Sequence, residues 1–196
     1  EGARLQEERI QRGENMDLFI GAIVCAILSV AVVTDLWARK IPNLLTLPAM
    51  LAGLAWHGLT RGLDGLAFAA AGLALGLAVM LVPYLMRVMG GGDVKLMAAV
   101  GAWLGAGDTF TAFLFTCLAG GLYSLFMLLR HGLLRRILVD LRNAFLVFLA
   151  TRRMEYAPIT ARSTRPLPRL CYGLAIALGT LASLAWTAWE RGTLQI

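Results

Sequence analysis

The stretch LAFAAAGLALGLAVMLVPYLM, residues 66–86, contains no charged side chain. A transmembrane α-helix needs about 20 consecutive apolar residues, so this stretch alone predicts a helix that crosses a bilayer. Further apolar segments lie on either side of it, at residues 17–34, 44–57, 94–104, 109–129 and 170–189. The sequence therefore predicts an all-α, polytopic integral membrane protein with about six transmembrane helices.

The composition excludes the other broad classes of protein. Of the 196 residues, 59% are hydrophobic and 15% are charged, and the mean hydropathy is +0.71. Soluble domains are nearer half apolar and a quarter charged, and a soluble chain of this size would leave the apolar excess on its surface. Charged residues are too sparse for a disordered chain, and three cysteines are too few for a disulfide scaffold.

The polar N-terminus is set apart from the rest of the chain. Residues 1–15 lack the apolar core of a signal peptide and precede Met16. We interpret residues 1–15 as an extension ahead of the natural start of the protein. Residues 16–196 are predicted to form a single transmembrane domain.

Basic residues alternate between the predicted loops. The stretches 35–43, 87–93 and 130–169 carry Arg and Lys, whereas 58–65 and 105–108 carry few. Basic loops lie on the cytoplasmic side of a membrane, which predicts both termini outside and explains the net charge of +6 without a nucleic-acid partner. We expect 130–169 to be a basic cytoplasmic segment that contacts anionic lipid, with an interfacial amphipathic helix over 135–150.

Two aspartates are the strongest candidates for chemistry. Asp35 follows the first apolar segment, in TDLWARKIPN (34–43), and Asp93 opens the fourth, in MGGGDVKLMAAVG (89–101). The predicted topology places both at the cytoplasmic ends of their segments. Ionisable groups at membrane depth are costly and are therefore functional candidates. The alternative is that each aspartate only caps a helix at the interface.

The residues around the aspartates suggest how the two loops are shaped. Gly90, Gly91 and Gly92 allow a sharp turn and the close approach of a substrate strand or a neighbouring helix, because they carry no Cβ. Pro42 prevents the first helix from continuing. Asn43 is a favoured residue for capping the second helix.

The cysteines and histidines do not indicate a metal site or a redox site. Cys25, Cys117 and Cys171 form no CxxC pair, and His57 and His131 form no HExxH motif. We interpret the cysteines as small core residues. No metal and no other cofactor is expected.

The two loops resemble those of the type IV prepilin leader peptidases, which are membrane aspartic proteases of the GxGD class. The class signature appears as GGGD (90–93), followed by VKL (94–96). The first aspartate of the family appears as Asp35, followed by the IPN of residues 41–43. Motif matching is confined to these loops, while the segment count and orientation agree across 16–189. Presenilin-like proteases fit less well, because Thr34 rather than a Tyr precedes Asp35.

The resemblance implies an activity. Asp35 and Asp93 would be the catalytic pair, sharing one proton and activating a water molecule. The substrate would be a prepilin-like precursor with a basic leader, cleaved after a Gly at the cytoplasmic face of the inner membrane. Gly90 to Gly92 would admit its backbone, with Pro42 and Asn43 shaping the site. Lys95 either tunes the aspartates electrostatically or simply extends to the interface.

The resemblance also implies a subtype. Larger members carry a cytoplasmic domain with paired CxxC motifs and N-methylate the mature pilin. This chain lacks CxxC, so it looks like the short form that processes Flp-type pilins of tight-adherence systems or archaeal preflagellins. No methyl transfer is expected.

Two other classes of function stay open from the residues alone. The first is a small transporter that uses Asp35 and Asp93 as a proton or cation site, although transporters favour acids near mid-span and often contain an internal repeat. The second is a non-catalytic membrane scaffold, which would leave the paired aspartates unexplained. The sequence does not predict the oligomeric state.

Overall fold

The protein is described by a computed structural model that covers residues 2–38, 40–87, 89–132, 134, 135, 138, 139, 142, 143, 146 and 172–190, with the backbone alone at 2–15 and 17. Within these ranges it has four long helices: α1 (Gly2–Ala38), α2 (Asn43–Leu85), α3 (Gly91–Arg130) and α4 (Tyr172–Glu190). The described residues contain no β-strand, so the predicted all-α class is confirmed. The backbone of the predicted extension, from residue 2, is continuous with α1.

All four helices are long and apolar enough to cross a membrane, in α1 over Leu18–Ala38. The predicted count of about six spans is not supported. The second and third predicted segments lie together in α2, and the fourth and fifth lie together in α3. The predicted loops 58–65 and 105–108 are helical apart from one glycine in each.

A glycine interrupts each of the two long helices. Gly62 in α2 has φ 63° and ψ −143°, and Gly105 in α3 has φ 77° and ψ 177°. This backbone region is essentially restricted to glycine. The arms of α2 on either side of Gly62 both reach the same part of α3, because Gly53 lies against Ala102 and Gly72 lies against Gly101. A straight helix would hold Gly53 and Gly72 about 28 Å apart, so α2 reverses at Gly62.

The interface between α2 and α3 depends on small residues. The backbone at Gly72 lies against Gly101, and Gly76 lies against Met97, so closely that a Cβ on either α2 glycine would collide with the α3 backbone. Close approach of this kind is the usual role of GxxxG spacing in membrane helices. Gly72 and Gly76 therefore serve packing within the chain.

A single buried stripe runs along α1. It consists of Ile20, Val24, Leu28, Ala31 and Asp35, which are spaced by three or four residues. This spacing places them on one face of the helix. Since α1 packs against α4 and α2, the stripe directs Asp35 into the protein rather than towards lipid.

The chain divides into two compact units. The first comprises Glu1–Gly120 and Cys171–Ile196, and the second comprises Gly121–Leu170. The first unit contains both aspartates. The predicted basic segment 130–169 belongs wholly to the second unit. Most of that segment, including most of the predicted interfacial helix 135–150, lies outside the described residues.

Candidate active site

Asp35 lies in the last turn of α1, with 8% of its surface exposed. The backbone N–H of Gly173 donates a hydrogen bond to Asp35 Oδ2 over 3.1 Å. Gly173 is the second residue of α4, and the first amides of a helix have no partner within it. Asp35 therefore accepts from the beginning of a helix that lies 138 residues further along the chain.

Asp93 lies in the first turn of α3, as its sequence position predicts, and it is also 8% exposed. The N–H of Gly90 donates to Asp93 Oδ2 over 3.0 Å, and the N–H of Asp93 donates to the Gly90 carbonyl over 3.2 Å. This reciprocal pair resembles a capping box, in which the third helical residue binds the amide at the cap. Asp93 thus caps its own helix.

The two carboxylates are close enough to interact electrostatically. The C-terminal end of α1 and the N-terminal end of α3 therefore meet, as the predicted arrangement of the two loops requires. Each carboxylate uses Oδ2 to accept one backbone amide. In the described part of the chain, no side chain or backbone group donates a hydrogen bond to Oδ1 of either aspartate. Among the described residues, one oxygen of each carboxylate therefore has no hydrogen-bond donor.

Two contacts hold the loop between α1 and α2 against the start of α3. Gly92 lies so close to Ile41 that a Cβ on Gly92 would be 3.1 Å from the Ile41 Cβ. Lys95 Nζ donates a hydrogen bond to Asn43 Oδ1 over 2.9 Å. These contacts fix the separation of the two loops that carry Asp35 and Asp93.

The capping role predicted for Asn43 is wrong. Helix α2 begins at Asn43, and the cap position belongs to Pro42, whose backbone is extended with φ −71° and ψ 141°. No side chain caps this end of α2. Instead the Asn43 side chain accepts from Lys95, because this position on the first turn faces α3.

The glycine run has a narrower role than the sequence suggested. None of Gly90, Gly91 and Gly92 has a positive φ, so the turn ahead of α3 does not use the left-handed backbone region. Close approach is required at Gly92. A Cβ on Gly90 would meet Asp93 Oδ2 at 3.6 Å, and one on Gly91 would meet the Tyr84 ring at 3.5 Å, which are ordinary contacts.

The first turn of α4 belongs to the site, although no sequence motif pointed to it. Gly173 binds Asp35 directly, and the neighbouring Tyr172 interacts electrostatically with both Asp93 and Cys117. One signal was available, because the predicted topology placed the residues after the basic segment 130–169 at the cytoplasmic end of the last span. No motif was expected there, so this signal was not used.

No metal centre is formed by the part of the chain that the structure describes, because nowhere in it do three His, Cys, Asp or Glu side chains come together. His57 is buried at 1% exposure, and its Nε2–H donates to the Trp103 carbonyl oxygen over 3.0 Å. Its ring also stacks edge-on against Phe68 at 5.1 Å between centroids. His57 therefore joins the two arms of α2 to α3.

The profile of the type IV leader peptidase family matches residues 22–125, which is more than half of the chain and includes Asp35 and Asp93. The chain belongs to the type IV leader peptidase family. It is thus a membrane protein of a peptidase family, as the two loop motifs indicated. Family membership favours a peptidase over the transporter and the scaffold.

Two curated relatives carry the same description. The chain is 32% identical to a prepilin leader peptidase/N-methyltransferase of Bacillus subtilis (strain 168) over 130 residues, which cover 65% of this chain and 52% of the relative. It is 37% identical to one of Klebsiella pneumoniae over 92 residues, or 43% of this chain and 40% of that protein. The matched stretches thus span about half the length of these relatives. No solved structure matches the chain.

Proposed function

We propose that this chain is an aspartic endopeptidase that cleaves the leader from type IV prepilin-like precursors, with Asp35 and Asp93 as the catalytic pair. One observation carries the proposal. Two buried carboxylates, remote along a chain of this family, interact electrostatically, and each is held by a backbone amide through a single oxygen.

In the proposed hydrolysis, the two carboxylates share one proton, so one is ionised and the other is protonated. The ionised carboxylate takes a proton from water as the water oxygen attacks the scissile carbonyl carbon. The protonated carboxylate donates its proton to the carbonyl oxygen, which stabilises the charge that develops there. Collapse of the tetrahedral intermediate breaks the C–N bond and transfers a proton to the leaving amine. The products are a leader with a new C-terminal carboxylate and a pilin with a new N-terminal amine.

The shape of the site supports a peptide substrate. Gly90 is exposed, and a Cβ placed on it would meet only Asp93 Oδ2 and the Gly92 amide within 4 Å. The backbone of a substrate is therefore able to approach Asp93 across Gly90, where Asp93 itself is the only side chain that a Cβ would meet within 4 Å. Gly92, Asn43 and Lys95 shape the site indirectly, by holding the loop after α1 against α3. Pro42 contributes the extended residue from which α2 begins.

The proposed topology has the site at the cytoplasmic face of the inner membrane. We infer that α2 and α3 each cross the membrane twice, reversing at Gly62 and Gly105. Contacts of both α2 arms with the same part of α3 support the first reversal. The first turn of α4 supports the second, because it binds Asp35 through Gly173 and also lies beside Gly120, near the far end of α3 from Asp93. Two crossings by α2 return the chain to the side of Asp35 before Asp93 is reached.

The substrate class is a prepilin-like helix with a short basic leader and a Gly before the scissile bond. Flp-type pilins of tight-adherence systems and preflagellins are the two candidates. The 196 residues contain no CxxC pair, so we propose that the chain as given cleaves the precursor and does not methylate the product. Mass spectrometry of the product, with a methyl donor present, measures both activities at once.

The decisive experiment compares three amide variants of the purified chain in detergent, with a prepilin-like precursor as substrate. We expect Asp35→Asn and Asp93→Asn each to lower the cleavage rate by about 100-fold or more, because each removes a proton-transfer group. Asp64→Asn is the matched control, since Asp64 is exposed in α2 and should be dispensable. Cleavage at the wild-type rate by both Asp35→Asn and Asp93→Asn would show that the mechanism is wrong.

A further inference from the structure

The first turn of α4 approaches both candidate catalytic carboxylates. The Gly173 amide donates to Asp35 Oδ2 over 3.1 Å, and Tyr172 is half-buried and interacts electrostatically with Asp93. The beginning of α4 is therefore part of the surroundings of the pair, although it lies 138 residues beyond Asp35 in the sequence.

Backbone conformation does not explain the glycine at position 173. Gly173 is absent from the positive-φ glycines of the described chain, so an L-residue would accept its backbone angles. The constraint is space. A Cβ on Gly173 would lie 2.8 Å from Asp35 Oδ2 and 3.2 Å from both the Cβ and the Cγ of Asp35. A side chain at position 173 would therefore occupy the space that brings the Gly173 amide and the Asp35 carboxylate together.

We propose that Gly173 is a positioning residue for Asp35, and this inference rests on the proposed peptidase function. Its amide fixes Asp35 Oδ2, and its missing side chain allows the amide to come within hydrogen-bonding distance. The amide lies in the first turn of a helix and has no partner within it, so the bond to Asp35 also satisfies that amide. With Oδ2 fixed, Oδ1 is held in one orientation towards water and substrate.

Gly173→Ala tests the proposal directly. The new Cβ meets only the Asp35 side chain, so rotation of the carboxyl together with a small shift of the Asp35 Cβ relieves the contact and keeps the fold. The rotated carboxyl is then misplaced, and a misplacement of about 1 Å costs about 100-fold in rate. We expect kcat for precursor cleavage to fall by about that factor, with KM close to that of the wild type and the unfolding temperature lowered no more than in Asp35→Ala, which loses the same hydrogen bond.

Gly120→Ala is the matched control. Gly120 lies on α3 beside the same turn of α4, and a Cβ on it would make only ordinary contacts, 3.7 Å from Ala175 and 4.0 Å from the Tyr172 ring. This variant should keep the wild-type kcat. Gly173→Ala with kcat within about threefold of the wild type, or with kcat and KM altered in the same way as in Gly120→Ala, would overturn the positioning role.

A second measurement does not depend on how Gly173→Ala folds. The pair Tyr172–Gly173 is the only Tyr-Gly step in the sequence, so ¹³C-carbonyl tyrosine with ¹⁵N-glycine labels the Gly173 amide alone. We expect amide exchange to accelerate about tenfold in Asp35→Ala, which removes the acceptor, and to stay slow in Asp35→Asn, which keeps an acceptor oxygen. Equal exchange in wild type and Asp35→Ala would exclude the contact.

The outcomes separate this inference from the proposed function. A wild-type chain that fails to cleave any prepilin-like precursor contradicts the proposed function. A wild type that cleaves, an inactive Asp35→Asn and a fully active Gly173→Ala contradict only the role of Gly173.

Discussion

At the scale of single residues, Asp35 and Asp93 each do something that sequence analysis treated as an alternative to catalysis. Each carboxylate caps the beginning of a helix through Oδ2, Asp35 at α4 and Asp93 at α3. A cap uses one oxygen and leaves the other free to react. Capping and proton transfer are therefore compatible in the same side chain, and the cap supplies the fixed orientation that catalysis needs.

The cap predicts a difference between two substitutions at Asp35. Asp35→Asn keeps an oxygen that accepts from Gly173, whereas Asp35→Ala leaves that amide unpaired. Loss of such a cap costs about 1 kcal/mol, so we expect Asp35→Ala to be less stable than Asp35→Asn by about that amount. Unfolding of both variants in the same detergent measures the difference. Equal free energies of unfolding would mean that the cap contributes nothing to stability.

At the scale of elements, the interruptions of α2 and α3 depend on glycine for different reasons. A Cβ on Gly62 would have nothing within 4 Å, so only its positive φ excludes other residues. A Cβ on Gly105 would overlap the Phe68 ring as well as adopting a positive φ. Backbone strain acts at both positions, and packing adds to it at Gly105.

Substitution of Gly62 and of Gly105 by alanine should lower the stability of the protein by different amounts. Gly62→Ala should destabilise by about 1–3 kcal/mol from backbone strain alone, and Gly105→Ala should cost more because Phe68 must also move. Gly107→Ala is the control. Gly107 lies in the helix, a Cβ on it would have nothing within 4 Å, and alanine favours the helical conformation. Thermal unfolding in detergent gives the order. A Gly105→Ala variant no less stable than Gly62→Ala would contradict this account.

Some of the elements and the site follow from the sequence on physical grounds. The spacing of Ile20, Val24, Leu28 and Ala31 places Asp35 on the buried face of α1, and the glycine run marks the start of α3. The contact of Asp35 with Gly173 was not predictable, because no local pattern connects two residues so far apart. The pattern of apolar segments predicted connections at 58–65 and 105–108, but it did not reveal that the helix is interrupted at a single glycine in each.

At the scale of the whole molecule, composition alone identifies the membrane class, and two short loops identify the family. The number of spans is harder to predict, because the sequence divides into six apolar segments whereas the described residues form four helices long enough to cross a membrane. If α2 crossed the membrane once, its 43 residues of helix would be much longer than the hydrocarbon core, which is about 30 Å thick and needs about 20 residues. Two crossings remove this mismatch.

The reversal of α2 predicts that its middle and its beginning lie on opposite sides of the membrane. In a variant with the native cysteines replaced, Lys40→Cys and Asp64→Cys each offer one exposed thiol. We expect an impermeant maleimide to label position 64 from the periplasmic side and position 40 only in inverted vesicles. Labelling of both from the same side would refute a double crossing by α2.

The hydrogen bond between Asp35 and Gly173 also has a consequence for biosynthesis. Ribosomes add about 5–20 residues per second, so the 138 residues between the partners take on the order of ten seconds to translate. Throughout that interval Asp35 in the nascent chain lacks the hydrogen bond from the Gly173 amide. The Asp35 carboxylate therefore gains this hydrogen bond only after α4 has been synthesised and inserted beside α1.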